Sequence, residues 1–369
     1  MICVMMTLIT YEGRSMKLRK LHIEDYKMFK DFDISFVDEN DEVLPIVVLA
    51  GVNGSGKTTL LDSLGKTKKE RHPLKLENYT TIEVRENDNI EFTYDNLKQD
   101  LNLDVPNKFF MLYADSIVYF SAGIDDTKKV ADEFVKTFYF FLKEKDYRPS
   151  EVKEHFHNYM TNIFDGLEVG FQYSHLDRDD NVWFSNNNGE EFKIEDLSTG
   201  EKTLLSKIMY LYFIGYKDKV ILIDEPELSL HPSWQNKVLK IYENFALKNN
   251  CQIIIATHSP HIIASAKSEY IRLLVKEDDR IKVVDNFTNT YGLKFSQILT
   301  EVMGVEHLRP VEVDNQLSKV KSMIVRNEYD SDEFKKEWDE LEKLLGKEYL
   351  ELKLLKVEIA SRRKNVSSN

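Results

Sequence analysis

Gly51-Val52-Asn53-Gly54-Ser55-Gly56-Lys57-Thr58 fits the pattern G-x-x-x-x-G-K-[ST], and its flanks are the ones that pattern needs. Before it, Pro45 to Ala50 is a continuous apolar run that reads as a buried strand. After it, Thr58, Leu60, Leu61 and Leu64 set out a helix. A glycine-rich turn at that junction lets backbone amides wrap phosphate oxygens, and the helix N-terminus favours their charge. Asn53, Gly54, Ser55, Gly56 and Thr59 are therefore expected at the phosphates of a nucleotide, ATP. Lys57 would reach the β- and γ-phosphates, and the Thr58 hydroxyl would hold Mg2+.

A second apolar run, Val220-Ile221-Leu222-Ile223, ends in Asp224-Glu225-Pro226. Four apolar residues place this strand inside a sheet and leave two acids at its carboxyl end, the edge where open α/β sheets bind ligands. Asp224 would serve the metal through a water, and Glu225 is placed to polarise an attacking water. A strand ending in two acids is common, so this signal gains its weight from the first.

Two more elements narrow the class. Leu197-Ser198-Thr199-Gly200-Glu201 precedes an almost wholly apolar helix, Leu204 to Ile214. A serine hydroxyl and a glycine amide at a helix start form another anion site. A chain with one phosphate loop does not need a second for its own nucleotide, so Ser198, Thr199, Gly200 and Glu201 are expected to act on the γ-phosphate held by a partner. Ile253-Ile254-Ile255-Ala256-Thr257-His258-Ser259-Pro260 ends a third apolar strand in His258, which would sense the γ-phosphate.

Phosphate loop, signature, acid strand and switch histidine, in that order over Lys17 to Val284, resemble the ABC ATPase superfamily. Glu225-Pro226-Glu227 followed by Leu230-His231-Pro232 resembles its non-transporter, RecF-like and OLD-like branch. Transporter subunits usually carry threonine where Glu227 stands, and their spacing from phosphate loop to signature is shorter than the roughly 140 residues here. The helical tail, entered through Tyr291-Gly292-Leu293, is similar to that of the Septu-type (PtuA-type) ATPases of anti-phage systems, which also accompany some retrons. That likeness implies a separately encoded effector, an HNH nuclease or toxin. One feature departs from the superfamily pattern. Gln99, the sole glutamine between the phosphate loop and the helical segment, lies in a polar stretch unlike the expected loop; the strand end at Ser121 is better placed, and the glutamine's role stays unassigned.

Outward from these motifs the chain divides cleanly. Lys17 to Phe36 alternates as a hairpin; Thr81–Val84, Ile90–Tyr94, Phe109–Tyr113 and Ile117–Ser121 read as sheet. From Lys128 to Phe164 the period turns helical, with Val130, Phe134, Phe138 and Phe141 on one face and Phe156, Tyr159 and Ile163 on another. Strands return at Leu167–Tyr173 and Val182–Phe184, and Tyr270–Val275 with Ile281–Val284 closes as a hairpin. The remainder is helical: Phe295, Ile298, Leu299 and Val302; then Val313, Leu317, Val320 and Ile324; then Phe334, Trp338, Leu341 and Leu345; then a last helix to about Arg363.

Composition bounds the alternatives. In 369 residues, 63 acids against 50 basic groups give a net charge of −13, which leaves no general basic surface for nucleic acid. Any such contact falls to a local patch (Lys66, Lys68, Lys69, Arg71, or Arg362, Arg363, Lys364) or to a partner, and both patches read as solvated surface. No apolar run is long enough to span a membrane, and Met1 to Thr10 lacks the basic start and cleavage site of a signal peptide. Met16 is an alternative start. Cys3 and Cys251 form no disulfide framework, which fits a cytoplasmic location. His155 and His157 splay apart on a helix, and no acid pair completes a ligand set for His258 and His261. No acid cluster of a nuclease centre follows the core.

The expected molecule is thus an α/β ABC-ATPase head over residues 1–290: a mixed-sheet P-loop core, an antiparallel β lobe and a helical insertion at about 126–166. An all-helical module covers 291–369. Two copies, or a higher oligomer of dimers, would close head to tail around ATP. The leading functional expectation is an anti-phage switch. The alternatives are a RecF-like repair ATPase, which predicts a basic groove, and an ATP-holding scaffold with little turnover.

Overall fold

A computed structural model describes residues 16–64, 80–86, 90–95, 117–121, 127–167, 171–214, 216–228, 230–285, 295–305 and 308–366. Phe109–Tyr113, Gln99, the Lys66–Arg71 patch, Cys3 and Tyr291-Gly292-Leu293 lie outside them, as does the chain before Met16. The chain divides into two compact units between Ile298 and Leu299.

The first unit is built on a six-stranded sheet in the order β13-β12-β3-β11-β10-β6. Its strands are β3 (Ile46–Ala50), β6 (Ile117–Ser121), β10 (Val220–Asp224), β11 (Gln252–Ala256), β12 (Ile271–Glu277) and β13 (Arg280–Val284). Five run parallel and β13 returns antiparallel on the edge, so the sheet is mixed. Every residue of β3 and β11 is buried, as unbroken apolar runs in a sheet covered on both faces must be. Helix α1 (Lys57–Leu64) packs against β10 and β11.

A four-stranded antiparallel sheet, β2-β1-β4-β5, forms the second lobe from β1 (Met16–Tyr26), β2 (Phe29–Ser35), β4 (Thr80–Glu86) and β5 (Ile90–Asp95). Gln252 ties the lobes together. Its buried side chain accepts from the Leu18 amide (2.8 Å) and donates to the Leu18 carbonyl (2.9 Å).

The helical insertion is α2 (Thr127–Glu144) and α3 (Pro149–Ile163). They close over a three-stranded sheet, β7 (Phe171–Leu176), β8 (Val182–Asn186) and β9 (Glu191–Lys193), through an aromatic core of Phe134, Phe156, Tyr173 and Phe184. The strand expected from Leu167 begins instead at Phe171, because Asp165-Gly166-Leu167 form the turn that ends α3, with Gly166 at φ +75°. Helix α4 (Thr199–Ile214) packs on α2 and on α5 (Pro232–Lys248). A short helix, α6 (Pro260–Ser265), follows β11.

The second unit gathers α7 (Val311–Val325), α8 (Asp332–Leu345) and α9 (Leu350–Val366). Leu317, Val320, Ile324, Phe334, Leu341, Leu352 and Leu355 form its core. The helix expected over Phe295–Val302 is one α-turn, Phe295–Gln297, widening into a π-helical turn over Ile298–Val302. Among the described residues no helix is long and apolar enough to cross a membrane.

Candidate active site

Strand order brings the motifs together. β11 lies between β3 and β10, and β10 lies between β11 and β6. Register then sets Leu49, Ala256, Asp224 and Ser121 in one row at the carboxyl edge of the sheet. The phosphate loop, the His258 loop and the acid pair each leave the sheet from this row. Ser121 enters it by backbone register alone.

The phosphate loop is shaped by its glycines. Gly51 has φ +148°, and a Cβ there would meet Ser55 Oγ at 2.6 Å and the Leu274 carbonyl oxygen at 2.7 Å. Gly56, at φ +92°, would drive a Cβ to 2.8 Å from Met28 Sδ. Asn53 and Gly54 are exposed at the tip. Ser55 is buried, so its side chain belongs under the loop and its amide donates to the Val52 carbonyl (3.2 Å). The Lys57 ammonium spans the loop, donating to the carbonyls of Gly51 (2.9 Å) and Val52 (3.0 Å). Burial lowers the Lys57 pKa, opposed by the charges of Glu225, Asp224 and Glu227. Thr58 is exposed and Thr59 half-buried on the first turn of α1. One turn further on, burial and the Asp224 charge raise the pKa of Asp62. A glycine cradle that side chains would fill, a cation aimed across it, and acids close enough to bear on that cation's charge fit a magnesium-bound nucleoside triphosphate.

At the end of β10 the backbone turns sharply. Glu225 has φ +47°, a conformation a non-glycine residue holds only when its surroundings enforce it. Here the enforcing bond is from its amide to the Ala256 carbonyl, 2.8 Å. The turn aims the carboxylate at the His258 loop, with His258 Nδ1 3.0 Å from Glu225 Oε1 and 3.6 Å from Glu227 Oε1. Both are ion-pair distances for a protonated imidazole, with angles off line for a hydrogen bond.

Ser198 caps α4. Its hydroxyl donates to Glu201 Oε2 (2.7 Å), its amide donates to the same oxygen (3.0 Å), and the Glu201 amide donates back to Ser198 Oγ (3.4 Å). This reciprocal capping box occupies the Glu201 carboxylate and fixes Ser198 exposed at the helix start. Gly200 faces Trp234 and His231, whose atoms would lie 3.5 and 3.7 Å from a Cβ. Thr199 opens the helix. α4 packs on α2 and α5, whereas α1 packs on β10 and β11.

Residues 16–164 match the family model described as "AAA ATPase domain", and residues 123–264 match one described as "AAA domain, putative AbiEii toxin, Type IV TA system". Both descriptions name an AAA domain, and each match covers less than half of the chain. Among its relatives is the Septu protein PtuA of Bacillus thuringiensis, 27% identical over 76% of this chain and 84% of that one. The "Retron Vc95 probable ATPase" of Vibrio cholerae serotype O1 biovar El Tor is 30% identical over 39% of this chain, a match spanning only 30% of the relative's length. An OLD nuclease of Thermus scotoductus is 33% identical over 27% of this chain and 21% of its own. The strand ends picked out in the sequence are the ones that register brings into the row at the sheet edge. The motifs passed over the buried charge of Lys207 in α4, and they gave Glu227, buried after the acid pair, only as a mark of the branch. The signal for Lys207 was a charge beside Ser206 in the otherwise apolar segment Leu204 to Met209. Neither His155 with His157 nor His258 with His261 belongs to a group of three possible metal ligands among the described residues.

Proposed function

We propose that this chain is the ATP-binding and ATP-hydrolysing subunit of a cytoplasmic anti-phage complex. It acts as a switch that closes on a second copy of itself and controls a separately encoded nuclease or toxin. The observation that carries the reading is the row at the sheet edge, where phosphate loop, acid pair and switch histidine leave adjoining strands with Glu225 3.0 Å from His258.

In this reading Lys57 and the amides of Asn53 to Thr59 bind the phosphates, while Thr58 and Asp224 hold magnesium. When bound, the ion neutralises charge on the phosphate oxygens. Glu225 takes the proton of the attacking water, and its carboxylate is aimed there by the enforced backbone turn. His258 reads the γ-phosphate and reports to Glu225. Ser198, Thr199 and Gly200 act from the partner copy, with Glu201 orienting the serine. A ligand that binds only the closed pair shifts the population toward it, which makes a switch of the pair.

The Septu and retron relatives support the defence role, and an acidic chain supports control of an effector over direct DNA work. Phosphate release from magnesium ATP tests the enzymatic part. The wild type is expected to turn over, Glu225→Gln to lose at least about a hundredfold while still binding nucleotide, and Lys57→Ala to lose binding. A wild type no faster than Glu225→Gln refutes it. A nuclease or toxin gene beside this one, whose product co-purifies with the chain, is the expected partner. A chain that restrains no neighbour but binds DNA points to repair instead.

A further inference from the structure

Lys207 is fully buried in α4, a helix whose packing an apolar side chain would serve as well. A buried ammonium is costly unless it is well bonded. Its bonds include one to the Pro226 carbonyl (3.0 Å) and one to the Leu228 carbonyl (3.0 Å), the residues either side of Glu227. Glu227 is itself 5% exposed. Its Oε1 accepts from the Thr257 hydroxyl (2.6 Å), the His258 amide (3.1 Å) and the Ser259 amide (3.1 Å). One carboxylate oxygen therefore gathers all three residues by which the chain leaves β11. The phenol of Tyr242 is buried beside it, its pKa raised by burial and then by the Glu227 charge.

These bonds form one path: α4, Lys207, the Pro226–Leu228 turn, Glu227, then Thr257, His258 and Ser259. The Pro226–Leu228 turn also follows Glu225 directly, with the Leu228 amide donating to the Glu225 carbonyl (3.1 Å). We propose that Glu227 is a positioning residue for His258, that Lys207 holds Glu227 in place, and that together they carry the position of helix α4 to the Glu225–His258 pair. Helix α4 begins at Ser198, so a signature engaged on the partner's nucleotide would adjust the hydrolytic residues of its own subunit. The two sites of a closed pair would then inform each other through each chain.

That consequence rests on the nucleotide roles given above to Ser198 and His258, whereas the bridge can be tested without nucleotide. Hydrogen exchange is measured on the full-length chain and on Lys207→Met, in the segment containing Thr257, His258 and Ser259. Charge-assisted bonds are the strong ones, so removing the ammonium that fixes Glu227 is expected to speed exchange of the His258 and Ser259 amides about tenfold. The strand amides of Val220–Ile223 and Val47–Leu49 should stay unchanged. A purely local role for Lys207 leaves the 257–259 segment unmoved, and that result overturns the proposal. If Lys207→Met loosens the whole head, Glu227→Gln decides: it keeps an acceptor and the volume but loses the charge. Faster exchange at the same two amides by about threefold or more upholds Glu227 as the positioning residue for His258, and unchanged exchange there rejects the proposal. Absence of ATP turnover in the wild type would sink the enzymatic reading and leave this test standing.

Discussion

Gly51→Ala should unfold the head more easily than Gly54→Ala, and the gap can be worked from the loop. Both glycines sit at positive φ, +148° for Gly51 and +82° for Gly54, so each alanine carries backbone strain of about 1–3 kcal/mol. At Gly54 nothing lies within 4 Å of the added carbon. At Gly51 the carbon meets Ser55 Oγ at 2.6 Å and the Leu274 carbonyl at 2.7 Å, and the latter is backbone of β12, hydrogen-bonded within the sheet. Overpacking against a neighbour that cannot yield adds about 1–3 kcal/mol. Gly51→Ala is therefore expected to cost about 2–6 kcal/mol in all, and Gly54→Ala the strain alone. Urea unfolding of both variants without nucleotide, followed by tryptophan fluorescence, measures the difference through the shift of midpoint at constant slope. Equal midpoints for the two variants would refute the account of why this loop starts with glycine.

Three further outcomes are expected. Burial raises the Glu243 carboxyl, but bonds from Lys240 (2.9 Å), Tyr270 (2.7 Å) and Lys267 (3.0 Å) outweigh it and hold the pKa down at about 2, against 4.5 when unfolded. The resulting stability, about 3 kcal/mol, is present above pH 4.5 and lost as pH falls toward 2. Stability curves of wild type and Glu243→Gln should thus converge over that acid window, and curves that stay parallel would contradict the assignment. Ser198→Ala and Glu201→Ala should each cost about 1 kcal/mol through loss of the same cap. Ser198→Ala should also slow ATP turnover, by about tenfold or more and further than Glu201→Ala, which leaves the serine in place but unoriented; equal turnover in the two variants would confine Ser198 to capping. Leu341→Ala, fully buried in the C-terminal core, should cost that unit about 2–5 kcal/mol, read as faster hydrogen exchange in α7–α9.

Much of the head was legible because its signals are local. The apolar runs before Gly51, Asp224 and Thr257 are strands at the expected places, and the change to helical period after Lys128 marks the insertion. Strand order was not legible, since no periodicity says that β11 inserts between β3 and β10; only the assembled sheet sets His258 against Glu225. Glu227 was read as a mark of lineage. Its three bonds reach residues 30 or more positions away in sequence, beyond what any window over the chain can register. Glu201 was grouped with the anion site, yet the S-x-x-E spacing was also that of a capping box, which is how its carboxylate is used. The π-helical turn at Ile298–Val302 shares its apolar spacing with an α-helix, so the pattern alone could not separate the two.

The central claim is a pair of heads closed by nucleotide. Its most direct test is the solution mass of Glu225→Gln by light scattering, with and without magnesium ATP. We predict that ATP converts monomer to dimer, or tightens a dimer already present, and that adding Lys57→Ala abolishes the effect. A mass indifferent to ATP would contradict the switch and leave a nucleotide-holding scaffold in its place.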